Sequence, residues 1–148
     1  MPVITTNNDS LSIEDITQFE DRFAIRLPVE YRSFLLANNG GEPMPRGFST
    51  EDGKVRSMVS RFFPMYDPEE FALDDEYSEI SLDGLIPSHL LPIAIDPAEN
   101  RVLLSLSGDD CGAVYYWSWD EEPDPASCSY KYMRRVAPNF EMFFMNLK

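Results

Sequence analysis

A chain of 148 residues with a formal charge of −14 is long enough to bury one real core, and its apolar and aromatic content excludes global disorder. It holds no apolar run of membrane-spanning length, and Met1-Pro2-Val3-Ile4-Thr5-Thr6 has neither the basic start nor the long apolar region of an export signal. The expectation is a soluble, cytoplasmic single domain over residues 1–148, with Cys111 and Cys128 as reduced thiols outside any CxxC spacing.

The charge is unevenly placed. Between Phe62 and Tyr130 sixteen Asp and Glu face one base, Arg101, so this middle carries −15 and the flanks together +1. Nucleic-acid binding is disfavoured, because it needs clustered Lys and Arg to displace counterions. An anionic membrane surface is disfavoured for the same reason. A basic protein partner would instead be steered in, with association ~10–1000-fold faster at low salt. Solubility alone is the plainer use of such a charge.

Residues Met1 to Leu11 read as a loose polar lead-in. Ser12-Ile13-Glu14-Asp15 has the form of a capping box, and Ile13, Ile16, Phe19 and Phe23 mark one face of a helix ending near Phe23. Pro28 suits the first position of a second helix, whose Tyr31, Phe34 and Leu35 form an apolar stripe. Asn38-Asn39-Gly40-Gly41 supplies residues that accept left-handed backbone and stop it. Two short helices so joined need a further layer to cover their stripes.

From Glu42 to Arg61 loop and turn residues dominate, with a short strand possible over Lys54–Val59. Phe62-Phe63-Pro64-Met65-Tyr66 has strand composition, and Pro64 demotes it to an edge or a bulge. The acidic Asp67–Glu79 segment, with Phe71, Leu73 and Tyr77 inside it, reads equally as short helix or loop. Leu82–Pro87 reads as a turn. Leu90–Ile95 is an apolar run suited to a strand buried on both faces. Turn chemistry at Asp96–Asn100, a strand at Arg101–Ser107, a second turn at Gly108–Gly112 and a strand at Ala113–Trp119 complete a three-strand meander. Asp120–Ala126 is an acidic loop, Tyr130–Met133 a candidate strand, and Pro138 opens a helix with Phe140, Phe143, Phe144 and Leu147 on one face. No repeat or low-complexity tract interrupts this order.

Ile16…Phe19-Glu20, Leu27-Pro28-Val29-Glu30-Tyr31-Arg32-Ser33-Phe34-Leu35 and Asn39-Gly40-Gly41 open a series of motifs. It continues with Ile86-Pro87…Leu91-Pro92-Ile93-Ala94, Asn100…Leu103-Leu104-Ser105-Leu106 and Ala113-Val114-Tyr115-Tyr116-Trp117, then the aromatic terminal helix. In this order they resemble the SUKH superfamily of the SMI1/KNR4 type, which includes yeast cell-wall assembly regulators and bacterial immunity proteins. The resemblance runs from about Ile13 to Leu147. It departs at Asp96–Asn100, where many members use a Gly-rich turn. It implies an α+β domain, a mixed or antiparallel central sheet with the N-terminal helical hairpin and the C-terminal helix packed on it, and no catalysis or cofactor.

Position by position, the chemistry is sparse. His89 is the sole histidine, and neither Ser88 nor Leu90 beside it makes a nucleophile motif. Asp109-Asp110-Cys111 is ordinary hairpin composition, and Asp74-Asp75-Glu76 lacks the alternating ligands and the Gly of a calcium loop, so no metal is expected. Gly40-Gly41 follows a helix and therefore cradles no phosphate. Tyr115, Tyr116, Trp117 and Trp119 alternate between two faces of one strand. With helices on one side only, one set packs in the core and the other is open to a partner or a loop.

The resemblance implies an immunity protein that binds a cognate toxin, often a nuclease, without an active site of its own. An acidic middle would imitate nucleic acid in a basic cleft. The candidate contact residues are Asp74, Asp75, Glu76, Glu79, Asp109, Asp110, Asp120, Glu121 and Glu122, with Tyr116 or Trp117 as anchors. A regulatory module binding endogenous proteins is the alternative, and an enzyme built around His89 comes last.

Overall fold

The computed structural model describes residues 2–6, 8–66, 72–118 and 133–148. Helix α1 covers Ile13–Phe23 and starts as its sequence dictates. The Ser12 hydroxyl accepts the Asp15 N–H at 3.1 Å, and the Asp15 carboxylate accepts the Ser12 N–H at 2.8 Å. Ile16 and Phe19 are buried, whereas Ile13 stays exposed at the helix start. Helix α2 covers Val29–Ala37, with Pro28 at the N-cap, one residue earlier than a first-turn proline. Tyr31, Phe34 and Leu35 are buried as the stripe requires.

The end of α2 is set by its neighbours. Asn38 caps it in extended backbone, and only Gly40 and Gly41 take left-handed angles (φ 70° and 123°). A Cβ on Gly40 would lie 2.7 Å from the Phe62 carbonyl oxygen, and one on Gly41 2.6 Å from that of Thr5. Two backbone segments thus press against this turn, and glycine is the residue that admits them. Between them Asn39 is a buried tie. Its Oδ1 accepts the Met65 N–H at 2.8 Å, and its Nδ2 donates to the Asp9 carbonyl at 3.0 Å.

Strand β1 (Val3–Thr5) pairs antiparallel with β2 (Glu42–Met44), so three residues of the lead-in read as loose form a strand, with Ile4 packed on the core. A hairpin joins β3 (Gly47–Ser49) to β4 (Arg56–Met58). The main sheet is antiparallel, in the order β5 (Arg61–Phe62), β6 (Leu90–Ile95), β7 (Arg101–Ser105), β8 (Val114–Trp117) and β9 (Met133–Ala137). The expected meander is β6-β7-β8, and every residue of β6 is buried. Strand β5 is an edge that stops before Pro64, as a missing N–H demands. Strand β9 lies mostly beyond the candidate Tyr130–Met133, of which only Met133 is among the described residues.

Helix α3 (Leu73–Glu76) runs directly into a π-helical segment, Tyr77–Leu82. Helix α4 (Phe140–Met145) is capped by the Asn139 side chain, which accepts the Met142 N–H at 2.8 Å. One face of the sheet meets α1, α2 and α4 in a core that includes Phe34, Phe62, Phe140, Phe143, Phe144 and Leu147. The other face is covered too. Ile80 and Ile86 pack there on Leu90, Leu103 and Trp117, with Leu85, Tyr115 and Met133 at the margin. Of the two covers expected for the second aromatic set, a partner or a neighbouring loop, the chain itself supplies one: apolar residues of the acidic middle fold back over Trp117 and partly over Tyr115.

Candidate protein-binding surface

The second cover decides which acids face outward. Asp74 is 8% exposed, with Arg22 Nη1 3.4 Å from its Oδ2 and the Tyr66 N–H 3.3 Å from its Oδ1. Glu76 is 2% exposed and pairs with Arg101 Nη2 at 3.2 Å. Burial pushes the Glu76 carboxyl upward from its ordinary range, and the Arg101 guanidinium pulls it back. Both carboxylates therefore belong to the interior, which corrects their place among the contact residues.

Asp75 and Glu79, between and beyond them, are exposed, as is Asp83 after the π-helical segment. Asp109 is exposed on the turn between β7 and β8. Asp110 beside it is tied down: its Oδ1 accepts the Ser105 hydroxyl at 2.8 Å and its Oδ2 accepts the Tyr115 hydroxyl at 2.7 Å. His89 Nε2 stands 3.7 Å from the same Oδ1. Burial, then the bond to Asp110, pushes the Tyr115 phenol up to about 12.

A serine, a histidine and an aspartate thus meet at one place, yet in an order that makes no nucleophile. A hydroxyl is activated when the imidazole stands between it and the carboxylate. Here the carboxylate stands in the middle, and the Ser105 hydroxyl is bonded to it at a position buried from any substrate. The arrangement holds a turn against the sheet. Among the described residues no three His, Cys, Asp or Glu side chains gather as metal ligands.

Tyr116 and Trp117 do not serve as anchors, being 4% and 1% exposed. Tyr116 lies on the helix-covered face, where its hydroxyl donates to Asp96 and accepts from Asn100 Nδ2. Trp117 lies under Ile80 and Ile86 on the other. Asp120, Glu121, Glu122 and Trp119 fall outside the described residues. Asp83 and Glu99 are exposed acids of the middle outside the candidate set, and Asp83 directly follows the run with Tyr77 and Ile80.

The exposed acids sit on two neighbouring segments. Tyr77 and Leu82 of the helical cover and Leu106 and Ser107 of the β7–β8 turn line a common cleft of about 570 Å³, together with Phe23–Arg26, Ser88 and His89. In residues 72–118 Arg101 is the one Lys or Arg, and it is turned inward onto Glu76. The carboxylates of residues 72–118 on this side have no lysine or arginine of their own segment among them, and the exposed Arg26 of the link between α1 and α2 lines the cleft beside them.

Fold and surface together define a class: a single α+β domain, its sheet covered on both faces, with a carboxylate-bearing side and no assembled nucleophile among the described residues. The chain belongs to the SMI1 / KNR4 family (SUKH-1), whose sequence pattern matches residues 10–146, from just before α1 to just after α4. No curated protein matches it at a significant level. Among the described residues no helix is long and apolar enough to cross a membrane.

Proposed function

We propose that this chain is a non-enzymatic immunity protein that binds and neutralises a toxin domain with a basic surface, of the nuclease kind. The supporting observation is the exposed set Asp75, Glu79, Asp83 and Asp109, carried on a stretch whose single arginine is buried. Such a surface accelerates encounter with a cationic cleft and occupies phosphate-binding positions there. Neutralisation by occupancy needs no bond making, and the Ser105–Asp110–His89 contacts, with the carboxylate in the middle, support that reading.

The test is to identify the product of the reading frame beside its gene and, where that is a large polypeptide with a basic C-terminal domain, to measure the association kinetics of this protein with that domain. Replacing Asp75, Glu79 and Asp109 together by Lys slows association ~10-fold or more at low salt and flattens its salt dependence. Equal rates for wild type and variant at both low and high salt would remove the reading. Recovery of housekeeping proteins in place of that polypeptide would favour a regulatory module.

A further inference from the structure

On the sheet face that α1, α2 and α4 cover, α2 and α4 lie side by side without closing over their shared floor. The floor is aromatic: Phe34 stands 5.1 Å from Phe140 and 5.3 Å from Phe144, ring centre to ring centre. Above it opens a groove of about 420 Å³, walled by Val29, Ser33 and Ala37 of α2 and by Met145 of α4, and closed at one end by Ile4 of β1. The wall residues fall at every fourth position of α2, so small side chains leave one flank low. Val29 is 74% exposed and Met145 50%, a large apolar exposure for a chain of this charge. Each helix sets one carboxylate on the lining, Glu30 and Glu141, and among the described residues no lysine or arginine joins them.

We infer that this groove is a second recognition site, built to take an amphipathic helix that carries apolar anchors on one face and Lys or Arg at its margins. The nine residues of α2 give a trough ~13 Å long, enough for about two helical turns. An aromatic floor with a methionine wall accepts leucine-type anchors in several rotamers. The acid on each wall selects the charge: a basic margin meets Glu30 on one side and Glu141 on the other, and an acidic margin is repelled by both. The groove's lining shares no residue with the Asp75, Glu79 and Asp109 surface, so the site stands independently of the proposed function.

The experiment uses the full chain with two fluorescein-labelled 14-residue helical peptides, one of Leu and Lys and one of Leu and Glu in the same pattern. Fluorescence anisotropy is expected to show the Leu/Lys peptide binding at least ~10-fold more tightly than the Leu/Glu peptide. Ala37→Phe, at an exposed position where folding is undisturbed, fills the groove and weakens the Leu/Lys peptide by a similar factor. Glu30→Lys with Glu141→Lys removes the preference between the peptides, while Asp75→Lys with Glu79→Lys leaves it in place. Equal binding of both peptides, binding insensitive to Ala37→Phe, or loss of binding only in the Asp75/Glu79 variant would each overturn the proposal. So would a concentration-dependent dimer, in sedimentation, that Ala37→Phe disperses, since the occupant would then be a second copy of this chain.

Discussion

The Asp96 carboxylate is engaged by both of its oxygens. Its Oδ1 accepts the N–H groups of Ala98 at 3.0 Å and Asn100 at 2.7 Å, closing the β6–β7 turn. Its Oδ2 accepts the Ser57 hydroxyl at 2.8 Å and the Tyr116 hydroxyl, which joins the β3–β4 hairpin to the main sheet. An acid that adds to the count of negative charge is in fact a structural acceptor, 4% exposed. Burial first, and then the bond to Asp96, pushes the Tyr116 phenol up to about 12. The folded state holds this proton longer than the unfolded chain, whose tyrosines titrate at about 10. Stability contributed here is therefore complete below pH ~10 and declines as pH rises towards 12. Tyr115 acts in the same direction and over the same range. Phenolate absorbance is expected to emerge together with loss of the folded signal in this window. Tyr116→Phe weakens the fold by about 1–3 kcal/mol at neutral pH, because Asp96 and Asn100 each lose a buried partner, and it makes the alkaline decline shallower.

Among the elements, the helical cover of the sheet's second face carries the most weight for function. It puts Ile80 and Ile86 inward, pairs Glu76 with Arg101, and in doing so turns Asp75 and Glu79 outward. Its hold on the sheet is local: Ser81 donates to the Leu90 carbonyl, and Tyr77 donates to the Ser88 carbonyl at 2.7 Å. Truncating Ile86, which is fully buried, to Ala is expected to cost about 2–5 kcal/mol and to red-shift tryptophan emission as Trp117 is uncovered. Ser12→Ala removes one exposed cap bond at the other side of the molecule and costs about 1 kcal/mol with no change of emission. Urea denaturation of the two variants separates these cases. Equal losses with unchanged emission in both would mean that the cover does not pack as described.

At the scale of the molecule, twenty-six acids against twelve bases make self-repulsion a standing cost to the compact state. Several internal acids escape it through pairing, Asp74 with Arg22 and Glu76 with Arg101 among them. The exposed ones do not, and salt screens them over ~10 Å at 0.1 M. Raising NaCl from low to physiological strength is expected to lift Tm by about 2–4 °C, the shift that corresponds to ~1 kcal/mol in a domain of this size. A Tm that falls with salt would mean that attractive ion pairs outweigh the repulsion. The same screening slows the proposed toxin encounter, so stability and association rate move in opposite directions with ionic strength.

What the residues determined alone was whatever depends on neighbours along the chain. The Ser12 box, the α2 stripe at Tyr31, Phe34 and Leu35, the β6-β7-β8 meander and the Phe140–Phe144 face were all legible, because propensity, capping and periodicity act within a few residues. Tertiary structure decided which charges are available. Asp74 and Asp75 are adjacent and chemically identical, yet one is buried against Arg22 and the other faces solvent. Nothing local distinguishes them, since the difference is set by a cation fifty-two residues away. Tyr116 and Trp117 were withdrawn from the surface in the same way, by partners distant in sequence that cover both faces of one strand. Burial is a property of packing between remote segments, and it alone separates a carboxylate that recognises a partner from one that holds the fold.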